Sequence, residues 1–279
     1  MPSVGRVVVI TDSSTCLPGE LVDRFGIRML PISSHLPEDS PAEGPDDDST
    51  WRLPESIEHA ELSAANHPFV TEYLAAIEAP GSDGAVLVTP AIEFASMFRN
   101  AAVASELAGV PAVAIDARTA AAGQALVVLA GAEAAADGAD LAAVVRAIED
   151  ASRRVELVAS LATLEPIRRS GPVPEAVLRA SELSGTRSVF RMRAGAIEPL
   201  GAAATAEETL QTIRDAFVAS TSAGVERSTI FHAGVPKLAA KLEELLGGVD
   251  FVSGFSIAMQ VHTGRGVVGA AWVPRRPAA

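Results

Sequence analysis

Lysine is almost missing from this sequence: Lys237 and Lys241 are the only two in 279 residues. Neither follows a glycine, so no phosphate loop ending in Gly-Lys-Ser or Gly-Lys-Thr exists, which excludes ATP binding of that kind. Positive charge as a whole is scarce. Lys+Arg number 22 against 35 Asp+Glu, a formal charge of −13, which repels nucleic acid at long range and argues against direct adsorption to an anionic membrane. The single cysteine, Cys16, cannot form an internal disulfide. It is expected to be a buried, inert thiol in a reducing, cytoplasmic setting. Long apolar runs are lacking too. "TAAAGQALVVLAGA", between Arg118 and Glu133, falls short of the roughly 20 residues that span a bilayer and is expected to be a buried helix, with no stable membrane insertion. The first residues show no basic segment leading into a long apolar stretch, so no secretory signal is expected. Five scattered histidines without ligand spacing predict no metal site.

What is present is an α/β pattern. "RVVVITD", "DGAVLVTP" and "VPAVAIDA" are continuous apolar strands, each followed by a helical stretch, as in a mostly parallel sheet covered on both faces. After "DLAAVVRAIEDASRRV" the texture shifts to shorter runs mixed with two helices, which suggests a more antiparallel second domain. The expected division is therefore 1–151 and 152–279, with a ligand cleft between the two. "HLPEDSPAEGPDDDST" lacks apolar periodicity and reads as a solvated loop. In parallel sheets ligands sit beyond the carboxyl ends of the strands, where Asp12, Ser13, Ser14, Thr89 and Asp116 fall. Asp12 and Ser13 suit either a ligand contact or a helix cap; Asp116 suits orienting Arg118 or capping the helix entered near Thr119, and the cap is expected.

"TGRGVVGA" has the spacing of a dinucleotide fingerprint at Gly264, Gly266 and Gly269. The fingerprint needs a helix after it and an acidic residue about 20 positions on. Here the following "VVGAAWV" is strand-like and no acidic residue remains. Glycines permit positive φ and close approach of a ligand to backbone amides, and His262 at the mouth of such a turn can hydrogen-bond a carboxylate.

The order of five motifs resembles that of the DegV family, bacterial fatty-acid-binding proteins. "ITDSST" is similar to the family's TDSS opening, and "AIDARTAAAGQALVVLAGAEAAADG" to its iDS segment and helix. "LATLEPIRRSGPVPEAV", "RSVFRMRAGAIEPLG" and "HTGRG" resemble its TLeyLkrgGRi, kPil and HtGPG stretches. The resemblance implies two α/β domains, a non-catalytic role, a bound long-chain fatty acid in place of any cofactor, and for some members a separate kinase that phosphorylates the acid. It would place the carboxylate near His262, Thr263, Gly264 and Arg265, with Asn66 or its neighbour His67, Thr89 and Ser13 as further contacts. The acyl tail would run between the domains, with "SGFSIAMQV", taken as the strand before His262, as one wall; Ile257 and Met259 also read as plain core.

This chain departs from the family pattern at several places. "ANHPF" stands where a Thr-Ser pair is usual, Pro90 where a ligand-contacting serine is usual, Pro172 for the arginine of GRi and Arg265 for the proline of HtGPG. Proline can donate nothing. Two alternatives stay open: a site altered to bind a different small acid, and a hydrolase using Asp12, Ser13 or Ser14 and His262. No Gly-x-Ser-x-Gly elbow accompanies either serine.

Overall fold

The computed structural model describes residues 6–32, 68–92, 97–162 and 187–276. Asn66, His67, Ser96 and Pro172 lie outside the described residues. The chain divides into two compact units; their described parts are 6–32, 68–92, 97–156 and 193–196 in the first, and 157–162, 187–192 and 197–276 in the second.

In the first unit, strands β1 (Val7–Asp12), β2 (Arg28–Leu30), β3 (Gly84–Thr89) and β4 (Ala112–Asp116) form a parallel sheet in the order β2-β1-β3-β4. Every residue of β1 and β3 is buried, as expected of central parallel strands clad on both faces. Helix α1 (Gly19–Phe25) links β1 to β2. One face of the sheet packs against α2 (Val70–Glu78) and α3 (Met97–Leu107): Tyr73 and Ile77 of α2 and Ala101 and Ala104 of α3 share a core with Val8, Ile10, Ala85 and Leu87. Helix α4 (Ala121–Ala136) is the apolar run described above; eleven of its sixteen residues are buried. Its alanines are strong helix formers, and it needs no polar face because α5 (Leu141–Arg154) lies against it. Gly131 makes that approach possible, since a Cβ there would collide with Ile148. Asp140 caps α5 by accepting from Ala143 N at 2.7 Å. No helix among the described residues is long and apolar enough to cross a membrane.

The second unit is built on a mixed six-stranded sheet, β7-β6-β5-β10-β8-β9, from β5 (Glu156–Leu161), β6 (Arg187–Arg193), β7 (Ala196–Ala203), β8 (Val225–His232), β9 (Phe251–Gly254) and β10 (Val268–Pro274). β8 runs antiparallel to β10 and parallel to β9. Val158, Val189, Ile230, Val268 and Trp272 share a core with Leu210 and Ile213 of α6 (Ala206–Ser220) and Leu242 of α7 (Pro236–Leu246). Trp272 satisfies its buried N–H on Ser220 Oγ at 2.7 Å. Thr205 and Glu208 close the start of α6 from both sides: Glu208 N donates to Thr205 Oγ1 at 3.1 Å and Ala204 N to Glu208 Oε2 at 2.7 Å. The alternate positions of the strands, Ala159, Phe190, Met192, Phe231, Ala271 and Val273, are buried as well, so both faces of this sheet are apolar.

The wall expected from "SGFSIAMQV" differs from the reading as a strand. β9 stops at Gly254, and Ile257–Thr263 is a helix, α8. Ser256 starts it by accepting from Met259 N at 3.3 Å, and Gln260 Nε2 donates to Phe255 O at 2.9 Å. These local bonds outweigh the apolar alternation that suggested a strand. Ile257 is buried and Met259 half-buried.

Gly269 is a tight point of the second sheet. A Cβ there would meet the Phe231 ring and sit 2.7 Å from Val158 O, backbone that cannot yield cheaply. Gly269→Ala is expected to lower the urea midpoint of unfolding by the equivalent of about 1–3 kcal/mol, the usual cost of overpacking a core.

Candidate functional site

Chemistry in the first unit gathers at the carboxyl ends of β1 and β3. The chain leaves β1 in a single 3-10 turn, Ser13–Thr15, and Asp12 begins it by accepting from Ser14 N at 3.0 Å. The cap and strand-end reading of Asp12 therefore holds. Ser14 Oγ donates to the same carboxylate oxygen and lies 3.2 Å from Gln124 Oε1. Ser13 Oγ accepts from Ile32 N at 2.9 Å. Cys16 follows in the left-handed region at φ 51 and is half-buried rather than buried, its thiol 3.8 Å from Ser13 O.

Gln124 ties this edge together. Fully buried in the first turn of α4, its Nε2 reaches Thr11 Oγ1 at 3.1 Å, Asp12 Oδ2 at 3.1 Å and Val88 O at 3.2 Å. One amide thus spans β1, β3 and the 3-10 turn. No reading of strand ends could find it, although a polar residue in the first turn of an otherwise apolar stretch was a usable signal; Glu133 is the other polar residue of this helix.

Beyond β3 and β4 the two chain segments stay linked, Ala117 N to Thr89 O at 2.9 Å and Ala91 N to Thr119 O at 2.8 Å. In the turn that follows β4, Arg118 and, at the helix start, Ala121 adopt positive φ of 55 and 46, conformations costing about 1–3 kcal/mol each for residues other than glycine. Asp116 does not cap α4 as expected. Its Oδ1 accepts from Arg118 N at 2.7 Å, and the helix begins two residues past Thr119, at Ala121, with Ala120 at its N-cap and no side-chain cap. The short Asp-x-Arg turn takes the carboxylate before the helix can.

Among the described residues of this unit, three hydroxyls are buried without a hydrogen-bond partner: Thr89 Oγ1, Thr119 Oγ1 and Tyr73 Oη. Burial drives the Tyr73 phenol far up from its ordinary 10.0, with the charges of Asp12 and then Glu72 adding to the rise.

In the second unit, α8 delivers His262 and Thr263 to a tight turn through Gly264 (φ 80), Arg265 and Gly266 (φ 85). Gly264 N donates to Gln260 O, and Gly266 N to Ala233 O, both at 2.8 Å. Arg187 Nη1 donates to Gly266 O at 3.0 Å. Positive φ is what the two glycines supply here, and a strand rather than a helix follows, so no dinucleotide fingerprint exists. Gly269 serves packing. Thr263 Oγ1 donates to Met259 O at 2.8 Å. His262 is half-buried in the last turn of α8. The Arg265 guanidinium lies over Gly234, where a Cβ would stand 2.8 Å from Nη2. No group of three or more His, Cys, Asp or Glu among the described residues could hold a metal.

The sequence matches the family model for the DegV family of uncharacterised proteins over residues 6–275. A DegV domain-containing protein of Streptomyces coelicolor is 25% identical over 273 residues, covering 95% of this chain and 97% of its own. Among solved structures, DegV of Bacillus subtilis, a fatty acid binding protein, superposes with TM-score 0.82 at 20% identity, covering 97% of this chain and 100% of its own. A fatty-acid-binding DegV family protein of Thermus thermophilus gives TM-score 0.80 at 22% identity over the same shares.

Replacing Gln124 by Leu strands buried partners on two strands and a turn, and should cost about 1–3 kcal/mol in chemical denaturation. The Tyr73 pKa is raised by folding, so its contribution to stability is complete below pH 10.0 and is lost as pH rises above it. With one tyrosine in the chain, phenolate absorbance should appear only together with loss of far-ultraviolet dichroism; a free titration near pH 10 in the folded protein would contradict the burial.

Proposed function

The chain belongs to the DegV family, and from that premise we propose that it is a non-catalytic carrier of a long-chain fatty acid. The observation that carries this reading is the state of the strand-edge hydroxyls in the first unit. Ser13 and Ser14 are engaged by Ile32 N, Asp12 and Gln124, an arrangement for holding a turn rather than for attacking a carbonyl. Thr89 keeps a buried hydroxyl with no partner, as a group reserved for a ligand would. The fatty acid binding of two relatives that share the fold across almost the whole chain points the same way.

In this proposal Thr89 and Ser13 of the first unit, and His262, Thr263, Gly264 and Arg265 of the second, are candidates for the carboxylate, together with Asn66 and His67. A buried methylene stabilises by about 0.8 kcal/mol, so roughly a dozen are enough for micromolar binding even where Pro90 offers the head group no hydrogen bond. No cofactor is called for. The missing phosphate loop suits a carrier that hands its acid to a separate kinase, and the lone cysteine suits a cytoplasmic location. The division at 151/152 belongs to the same proposal.

A second reading is favoured by Pro90 alone, which removes both a hydroxyl and a backbone N–H from the end of β3: the same scaffold altered for a smaller acid. Native mass spectrometry followed by denaturing lipid analysis separates the two. Wild-type protein should release a stoichiometric fatty acid, and His262→Ala should release much less. Wild-type protein that carries a small acid or nothing would favour the second reading.

A further inference from the structure

Val8 and Ile10 of β1 face the same side of the first sheet as Ala85 and Leu87 of β3, with Ile10 opposite Leu87 in register. Strand alternation puts Asp12 and Thr89 on that side too, one step further toward the carboxyl ends. Tyr73 of α2 belongs to the same buried cluster as Ile10 and Leu87. Its side chain is 1% exposed and its hydroxyl has no partner. Arg28, the first residue of β2, donates from Nη1 to Ala76 O at 2.6 Å and from Nη2 to Pro80 O at 2.9 Å, so the end of α2 lies by the amino end of the sheet and Tyr73, in its first turn, lies toward the carboxyl ends. Tyr73 and Thr89 therefore bring two buried, unpartnered hydroxyls to one face of one strand edge.

Leaving such groups unsatisfied is costly, and a polar group of a bound ligand would supply the missing partner. At the end of β3 Pro90 has no N–H, and Ala91 N is committed to Thr119 O. Among the described residues, the unpartnered buried side-chain groups of Tyr73 and Thr89 are both hydroxyls. We propose that the Tyr73 hydroxyl, together with that of Thr89, donates to the carboxyl group of the bound acid, making Tyr73 a ligand-contacting residue of this chain. The inference rests on the carrier reading for the length of the acid, while the carboxyl chemistry stands on the two hydroxyls themselves.

Tyr73→Phe removes the hydroxyl and keeps the ring. The full-length protein and this variant are titrated with oleate and with butyrate, each isotope-labelled at the carboxyl carbon and followed by NMR, and the empty proteins are melted in parallel. The expected result is weakening of about tenfold in the variant, the worth of one hydrogen bond to a ligand, with a melting temperature of the empty protein equal to or above wild type. Thr89→Val should repeat the pattern, and Thr89→Ser should restore binding. Oleate bound equally by wild type and Tyr73→Phe would overturn the inference and leave the carrier reading intact. Butyrate bound in a Tyr73-dependent way, with no oleate bound, would keep the inference and sink the carrier reading. Binding of neither acid by wild type would sink both. A variant that melts lower and binds normally would assign the hydroxyl to the fold, against the proposal.

Discussion

A carboxylate and a carboxamide buried side by side constrain the first unit more than any apolar contact does. Asp12 and Gln124 are both fully buried, and each is bearable there only because the other, with Ser14, Thr11 and Val88 O, fills its hydrogen bonds. The amide can reach them only if α4 begins where it does, with Gln124 in its first turn beside the strand ends. That start requires left-handed backbone at Arg118 and Ala121. Strain at the strand-to-helix turn and the polar network above the strands are thus two sides of one arrangement.

The same edge sorts its hydroxyls into two kinds. Those of Ser14, Thr11 and Thr15 close back onto the chain, to Asp12, Val88 and the turn itself. Those of Thr89, Thr119 and Tyr73 do not. A serine next to an acid invites a catalytic reading, yet here it is an element of the turn. Among the described residues of this unit, the buried hydroxyls without a partner are those of two threonines and a tyrosine.

The second unit solves a different problem, how to turn the chain tightly beside a sheet that is apolar on both faces. Backbone does most of it. Ala233 accepts from Gly266 N and donates to Val267 O, closing the gap between β8 and β10, and Gly264 turns the chain out of α8 with a φ that other residues rarely adopt. Gly234 leaves the room that Arg265 occupies. The arginine that stands where the family has proline is therefore matched by its own surroundings, packed over the chain rather than added to an unchanged loop.

Much of the fold was legible in the residues alone. β-Branched runs ending in Asp, Ser and Thr mark parallel strands because burial on both faces demands continuous apolar sequence, and the alanine-rich stretch after Thr119 marks a helix because nothing in it favours a turn. The glycines of "HTGRG" were legible as positive-φ positions for the same local reason. Ser253–Val261 was not, since its apolar spacing suits a strand as well as a helix, and a serine cap with a glutamine side chain decides between them. Gln124 was legible only as a polar residue in an apolar helix, and Tyr73 and Thr119 not at all as unpartnered hydroxyls, because their meaning depends on partners, or on the lack of them, far along the chain. Sequence by itself determined most of the strands and helices and where backbone must turn, because those follow from propensity and period; Ser253–Val261 is the exception. Only the tertiary structure decided which polar groups the fold uses and which are left over, because a hydrogen bond is settled by what lies opposite it in space.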